Sequence, residues 1–188
     1  MIEWLIPLIV VVVLGLIVIG IYNGLVQKKM RADNAWAQID VQLKRRADLI
    51  PNLVDTVKGY AKFEKKVLTE VTRARTSIMN AKTPAEAAKG ENMLAGALKT
   101  IFAVAEAYPA LKASENFKSL QEEFSTTENK IAYARQFYND SVMQFNTAIM
   151  VFPNNLFAGL FGFGMPLDYF EIAASEKKVP KADFSDLA

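Results

Sequence analysis

Residues 36–78 read WAQIDVQLKRRADLIPNLVDTVKGYAKFEKKVLTEVTRARTSI and carry a seven-residue apolar repeat. One row of the repeat contains Trp36, Leu43, Ile50, Val57, Glu64, Val71 and Ile78, and the other contains Ile39, Arg46, Leu53, Tyr60, Val67 and Ala74. Eleven of these thirteen positions are apolar or aromatic. A strict heptad of this length indicates a helix with a seam that packs on other helices. The segment therefore predicts an all-α protein with coiled-coil-like packing.

Pro51 interrupts this repeat. Proline removes one backbone hydrogen bond and clashes with the preceding helical turn. The stripe nevertheless keeps its phase, because Leu43, Ile50 and Val57 stay on one row. We therefore expect a kink at Pro51 within one long helix that continues to Ile78, and a true turn of the chain is the alternative.

An apolar run of nineteen residues without a charge, from Trp4 to Tyr22, precedes the repeat. At about 1.5 Å per residue this run spans roughly 28 Å as a helix, which matches the hydrocarbon core of a bilayer. A cleaved signal peptide would have a basic start and a shorter apolar core. Because Glu3 precedes this longer run, we predict an uncleaved transmembrane anchor.

The flanking charges predict the orientation of this anchor. No Lys or Arg precedes the run, whereas Lys28, Lys29 and Arg31 follow it. The positive-inside rule then places the N-terminus outside and the remaining chain in the cytoplasm. Residues 28–75 hold twelve basic against six acidic residues, which suits an anionic inner leaflet, although a solvated helix face explains them equally well.

Capping signals divide the rest of the chain into further helices. Thr83-Pro84-Ala85-Glu86 reads as a cap, a first-turn proline and a capping-box glutamate, and it starts a helix that runs to about Glu106. Ser114 caps a third helix from 115 to about 151. The prediction is an anchor at 1–25, an antiparallel up-and-down bundle at 26–170 and a flexible tail at 171–188.

The composition removes most enzyme classes. The chain contains no histidine and no cysteine, which excludes zinc sites built on them, thiol nucleophiles and histidine-activated nucleophiles. Net charge is only +2, so nucleic acid is not the expected partner. We expect a non-enzymatic protein without a cofactor or a metal, whose partners are the bilayer and either a second copy or another membrane protein.

Two charged residues occupy seam positions, namely Arg46 and Glu64. A buried charge is costly unless it is paired. Glu128 and Arg135 are seven residues apart on one face of the third helix and are candidate partners. The pattern indicates either a polar layer inside the bundle or long side chains that reach solvent at its edge.

Further candidate contact residues lie at the kink and on the third helix. Arg45 and Asp48 stand close to Pro51, where polar neighbours can satisfy a freed carbonyl. Asn139 and Asn146 lie within the third helix, where asparagine has poor propensity. An interhelical hydrogen bond is the simplest compensation for each asparagine.

A phenylalanine-rich segment follows the third helix and includes Phe157, Phe161 and Phe163. It is too short to span a membrane. It folds on the bundle, enters the membrane interface or binds a second subunit. If Pro51 only kinks the first helix, the third helix ends far from the membrane, so we favour the bundle or a second copy.

Several motifs together resemble the LemA family. They are the anchor followed by Tyr22-Asn23, then WAQIDVQL at 36–43, RRADLIPNLV at 45–54, EAYP at 106–109, Thr127-Glu128 through ARQFYN at 134–139, and Asn146 through Phe152-Pro153. The resemblance covers nearly the whole chain, up to about Phe170, and its motifs are specific only in combination.

This resemblance implies a bacterial single-pass membrane protein with an antiparallel helical bundle and no catalytic residues. Some members of the family act in magnetosome membrane biogenesis, and the family is associated with membrane stress proteases. From the residues themselves, the leading hypothesis is a membrane-anchored scaffold or interaction protein. A protease adaptor and a membrane-biogenesis factor are the alternatives that the family implies.

Overall fold

A computed structural model describes residues 4–59 and 65–171 of the chain. The all-α prediction is confirmed, because the described part of the chain contains helices and no strand. The helices are α1 (Leu5–Asp48), α2 (Ile50–Lys58), α3 (Lys65–Met79), α4 (Pro84–Ala105), α5 (Pro109–Ala113), α6 (Glu115–Met150) and α7 (Asn154–Ala158).

The chain forms two compact units. Unit 1 combines residues 1–46 with residues 122–169, and unit 2 combines residues 47–121 with residues 170–188. The division between the two units falls inside the predicted bundle domain of 26–170. The predicted tail at 171–188 lies, except for Glu171, outside the described residues.

Helix α1 joins an exposed apolar half to a packed half without a break. An 18-residue stretch in its first half has a mean hydropathy of 3.1, and none of that stretch is buried inside the protein. The helix is therefore long and apolar enough to cross a membrane. Burial starts at Leu25 and recurs at Ala32, Ala35, Ile39 and Leu43. These spacings of three, four and seven put one stripe of α1 against the rest of unit 1.

Unit 1 pairs α1 with the last four-fifths of α6 in antiparallel fashion. Leu25 packs against Phe145 and Ile149, near the end of α6. Further along α1, the rings of Trp36 and Tyr138 lie 6.0 Å apart. Contacts therefore move toward the start of α6 as α1 proceeds, which is the signature of antiparallel helices.

The backbone at Pro51 does not make a turn. Only Leu49 separates α1 from α2, and its φ of −76° and ψ of −19° are those of a right-handed helix. Leu53 N–H donates to the Leu49 carbonyl at 3.1 Å, so the helical hydrogen bonding resumes at once. Proline in the first turn of α2 costs little, because its missing N–H has no helical partner there.

The expectation of one helix through to Ile78 is wrong. Helix α2 ends at Lys58, and α3 begins at Lys65. Arg75, late in α3, donates from Nε to the Ala47 carbonyl at 3.2 Å, which shows that α3 runs back along α2. Gly59 closes α2 and marks the break, because glycine is a poor helix former. Glu64 and Tyr60 of the heptad lie outside the described residues.

The heptad rows still predicted which residues are buried. Ile39, Leu43, Ile50, Leu53, Val57, Val67, Val71, Ala74 and Ile78 are all buried. The repeat marks the core face of successive helices, and it continues in phase across the reversal. Periodicity therefore located the core but could not show that the helix ends between Lys58 and Lys65.

The predicted start of α4 is confirmed in detail. Thr83 is extended, and its Oγ1 accepts a hydrogen bond from Glu86 N–H at 3.2 Å. The Glu86 carboxylate reaches back to accept from Lys82 N–H at 2.8 Å. The predicted third helix, 115 to about 151, matches α6, whereas the short helix α5 was not predicted.

The extra reversal after α2 changes the direction of the last long helix. An anchor helix with only a kink and two further reversals would send α6 away from the membrane, as the sequence predicted. With the reversal between α2 and α3 added, α6 runs back along α1 and ends beside Leu25. The expectation that the phenylalanine-rich segment ends far from the membrane anchor is therefore wrong.

Candidate functional site

The phenylalanine-rich segment folds back on unit 1 through a tight turn. After α7, Phe163 N–H donates to the Ala158 carbonyl at 2.8 Å and Gly162 N–H donates to the Gly159 carbonyl at 3.2 Å. These two bonds form a Schellman motif, which requires a left-handed residue after the helix. Gly162 supplies it with a φ of +79°. The turn sends Phe163 back toward α6.

An aromatic cluster connects this segment to the end of the apolar half of α1. Tyr22 contacts Phe161 edge-on at 5.2 Å between ring centroids and Phe163 at 6.0 Å. Phe163 in turn meets Phe145 of α6 at 6.2 Å, and Phe157 stacks on Phe161 at 6.1 Å. Such ring pairs add to the stabilisation from apolar burial. The three predicted phenylalanines thus come together around Tyr22.

Asn146 fixes the end of this segment with both ends of its amide. Its Nδ2 donates to the Leu167 carbonyl at 3.0 Å, and its Oδ1 accepts from Leu167 N–H at 2.8 Å. The side chain is buried, so it needs these partners. The predicted interhelical bond is instead a bond to the backbone of the returning segment.

Tyr138 makes the second polar attachment of the segment. Its hydroxyl donates to the Asp168 carbonyl at 2.7 Å. Burial raises the pKa of Tyr138 to about 12, and the nearby carboxylates of Asp168 and Asp33 add to the shift. A neutral hydroxyl that keeps its proton is the form that donates this bond.

The seam arginine Arg46 pairs with Glu128, one of the two predicted partners. Arg46 is only 4% exposed, whereas the Glu128 side chain is 46% exposed. The pair therefore extends from the core of unit 1 to its surface, which combines the two alternatives that the sequence left open. Arg135, the other candidate on that face, is half-buried two turns further along α6.

The remaining predicted residues do not join this pair or the aromatic cluster. Arg45, Asp48 and Pro51 are exposed, and Asp48 lies 4.0 Å from the Arg75 guanidinium within unit 2. Asn139 is half-buried and has a partner of its own. Asp48, the last residue of α1, therefore lies beside the later part of α3.

An apolar groove runs along the outer side of α1 and α6 in unit 1. It has a volume of about 560 Å³, and its lining residues are Ala37, Gln38, Val41, Gln42, Lys130, Tyr133, Ala134 and Phe137. Tyr133 is 76% exposed and Val41 is 61% exposed. The buried Gln42 Oε1 has no hydrogen-bond partner among the described residues. The groove thus combines exposed apolar surface with an unused buried acceptor.

Sequence reasoning missed this groove and the role of Tyr22. Val41 lies off the heptad rows of residues 36–78, and an apolar residue off these rows could have indicated an exposed contact surface. Tyr133 and Phe137 are four apart and therefore share a helix face. Predicting the aromatic cluster required the direction of α6. The sequence did not reveal the reversal between α2 and α3 that sets this direction.

Together, an exposed apolar helix and a helical bundle built on its continuation define a membrane-anchor type of helical protein. The chain belongs to the LemA family, whose model matches residues 35–184.

Individual relatives agree with this assignment. Protein LemA of Metamycoplasma hominis is 30% identical over 176 residues, which cover 90% of this chain and 76% of that protein. Magnetosome protein MamQ of Magnetospirillum gryphiswaldense is 23% identical over 175 residues, covering 79% of this chain and 64% of the relative. Magnetosome protein MamQ 2 of Paramagnetospirillum magneticum is 23% identical over 176 residues, with 80% and 64% covered. This chain therefore spans somewhat less than two thirds of the magnetosome relatives.

Proposed function

We propose that this protein is a non-enzymatic, membrane-anchored scaffold that holds a partner against the α1–α6 face of unit 1. The observation that carries the proposal is the continuity of α1. One unbroken helix supplies both the exposed apolar half and the buried stripe from Leu25 to Leu43. A partner bound to unit 1 is then held at a fixed distance from the bilayer, because a helix rises by about 1.5 Å per residue.

The apolar groove is the contact surface that we assign to this role. Its exposed aromatic and aliphatic side chains resemble the centre of protein interfaces, where aromatic anchors are enriched. Lys130 at the rim and the unused Gln42 acceptor offer polar contacts for orientation. An apolar helix face, from a second copy or from another membrane protein, is the kind of partner that binds such a groove.

The residue types support a binding role over a catalytic one. The sequence has neither histidine nor cysteine. Within residues 4–59 and 65–171, no group of three acidic side chains is placed to hold a metal ion. The pKa of Tyr138 is raised, but its hydroxyl is committed to the Asp168 carbonyl. These features favour a surface that binds over a site that reacts.

We further propose that the bundle lies in the cytoplasm of a bacterial cell. Lys28, Lys29 and Arg31 support this orientation. Since the chain has no cysteine, Tyr133→Cys offers one exposed thiol. A membrane-impermeant maleimide should label it only after the cells are lysed. Labelling in intact cells whose outer membrane has been permeabilised would place the bundle outside.

The scaffold proposal is tested by the size of the full-length protein released in mild detergent. We expect an assembly larger than one chain, containing a second copy or a stoichiometric membrane protein. Tyr133→Glu places a charge in the groove and should reduce the assembly to a single chain. Met93→Glu, an equally conspicuous change at an exposed methionine of α4, should leave the assembly intact. A wild-type protein that is strictly monomeric and alone would contradict the proposal.

A further inference from the structure

One face of the phenylalanine-rich segment is apolar and points away from the protein. Phe152, Leu156 and Leu160 are 78%, 64% and 81% exposed. These three residues follow one another at intervals of four. Because residues four apart lie on the same face of a helical turn, Leu156 and Leu160 point in the same direction. Met165 after the turn is also exposed. Contiguous exposed apolar side chains of this kind mark a contact surface.

The opposite face of the same segment shows where this surface lies. Phe161 and Phe163 contact Tyr22, the last residue of the apolar run of α1. Leu25, one turn further on, packs against Ala158 of α7. The exposed leucines are therefore held beside the end of the stretch that spans the membrane.

The first basic residues of α1 lie further along the helix than the aromatic cluster around Tyr22. Lys28 and Lys29 follow Tyr22 by six and seven residues, or roughly 9–10 Å of helix. This distance compares with the polar headgroup layer of a bilayer, which is about 5–8 Å on each side by its overall dimensions. With the lysines among the headgroups, the aromatic cluster around Tyr22 lies at the boundary with the hydrocarbon, where aromatic rings are enriched.

The segment itself carries no charge that would oppose this position. Residues 141–167, from Ser141 to Leu167, contain no Asp, Glu, Lys or Arg. The polar attachments of the segment, from Asn146 and Tyr138, face inward and satisfy the backbone at Leu167 and Asp168. Satisfied backbone groups are what a segment needs in order to enter a lipid environment.

We propose that residues 152–165 form a second, non-spanning contact with the membrane, in which Phe152, Leu156 and Leu160 insert into the lipid interface beside the anchor. The occupant of this surface is lipid, because the surface is continuous with the membrane-spanning stretch of α1. The inference rests on the anchor of the proposed function but not on the groove. Two contacts, the anchor and this segment, fix the rotation of unit 1 about the anchor axis.

The test uses the full-length protein, a single chain per nanodisc, in phosphatidylethanolamine with a minority of phosphatidylglycerol. A nitroxide is attached at Leu160→Cys, and its collision rates with molecular oxygen and with a water-soluble nickel chelate are compared. Oxygen concentrates in lipid, and the chelate stays in water. References are Leu14→Cys, exposed within the apolar half of α1, and Tyr133→Cys, exposed in the groove.

We expect the Leu160 label to collide with oxygen more often than the Tyr133 label and less often than the Leu14 label, which lies deeper in the hydrocarbon. The Leu160 label should also exclude the chelate several-fold more than the Tyr133 label. A Leu160 label as open to the chelate as the Tyr133 label would overturn the inference while leaving the anchor in place. A label shielded from both reagents would overturn it as well, because protein would then cover the segment. A Leu14 label open to the chelate would instead overturn the anchor and the proposed function with it.

Discussion

Two polar side chains attach the returning segment to α6 in unit 1. Asn146 and Tyr138 together make three hydrogen bonds to the backbone at Leu167 and Asp168. All three partners are main-chain groups, so these bonds do not depend on which side chains stand at positions 167 and 168. Loss of the hydrogen bonds of either side chain should loosen the returning segment.

Asn146→Ala should destabilise the protein by about 1–2 kcal/mol. Two hydrogen bonds to Leu167 are lost at about 1 kcal/mol each, and the better helix propensity of alanine offsets part of that loss. Thermal unfolding in detergent micelles, followed by circular dichroism, measures the change. Gln136→Ala, at an exposed position of the same helix, should have almost no effect. Equal stability of the wild type and the Asn146 variant would show that the paired bonds contribute nothing.

Because of Tyr138, the free energy of unfolding should depend on pH in the alkaline range. Its pKa is raised from 10.0 to about 12, so the folded state holds the proton more tightly than the unfolded state. This contribution is complete below pH 10 and is lost as the pH rises through 10 toward 12. The stability advantage of the wild type over Tyr138→Phe, about 1 kcal/mol from the hydroxyl bond, should therefore disappear in that window.

Melting temperatures of both proteins across the window measure this effect, and lysine titration cancels in the comparison. An advantage that stays constant through pH 12 would contradict the assignment of the raised pKa to a folded, hydrogen-bonded Tyr138.

Helices α3 and α4 approach each other closely at Gly90. A Cβ at Gly90 would lie 2.9 Å from Ile78 Cγ1 and 3.0 Å from the Ile78 backbone nitrogen. Gly96, on the same helix, has open space around it. The two glycines thus offer a matched pair of substitutions for the packing of unit 2.

Gly90→Ala should destabilise by about 1–3 kcal/mol, because overpacking against backbone cannot relax through a side-chain rotation. Gly96→Ala should stabilise by about 0.5–1 kcal/mol through helix propensity alone. Chemical unfolding of each variant gives the two values. If both substitutions stabilise the protein, α3 and α4 do not approach as closely as the structure has them.

The helices were more predictable than their directions. The cap at Thr83 and the extent of α6 depend on local chemistry, so the sequence alone located them. The reversal between Lys58 and Lys65 has no proline and a single glycine, and the heptad continues in phase beyond it. Apolar periodicity reports burial and not connectivity, which is why the returning α6 and its contact with Tyr22 were missed.

At the scale of the molecule, one helix links the apolar half of α1 to the apolar groove. The apolar half of α1 ends at Tyr22, and the groove begins fifteen residues later at Ala37. That separation is roughly 22 Å along a helix, which places the groove clear of the headgroups. The scaffold proposal therefore predicts that a partner in the groove is held close to the membrane but outside it.

In-cell photocrosslinking from the groove decides whether this surface holds a partner. A photoreactive amino acid replaces Tyr133 in the full-length protein, and another replaces Glu123, an exposed residue of the same helix outside the groove. The scaffold proposal predicts one dominant adduct from position 133, to a second copy or to a single membrane protein, and far less from position 123. Equal and diffuse crosslinking from the two positions would contradict it.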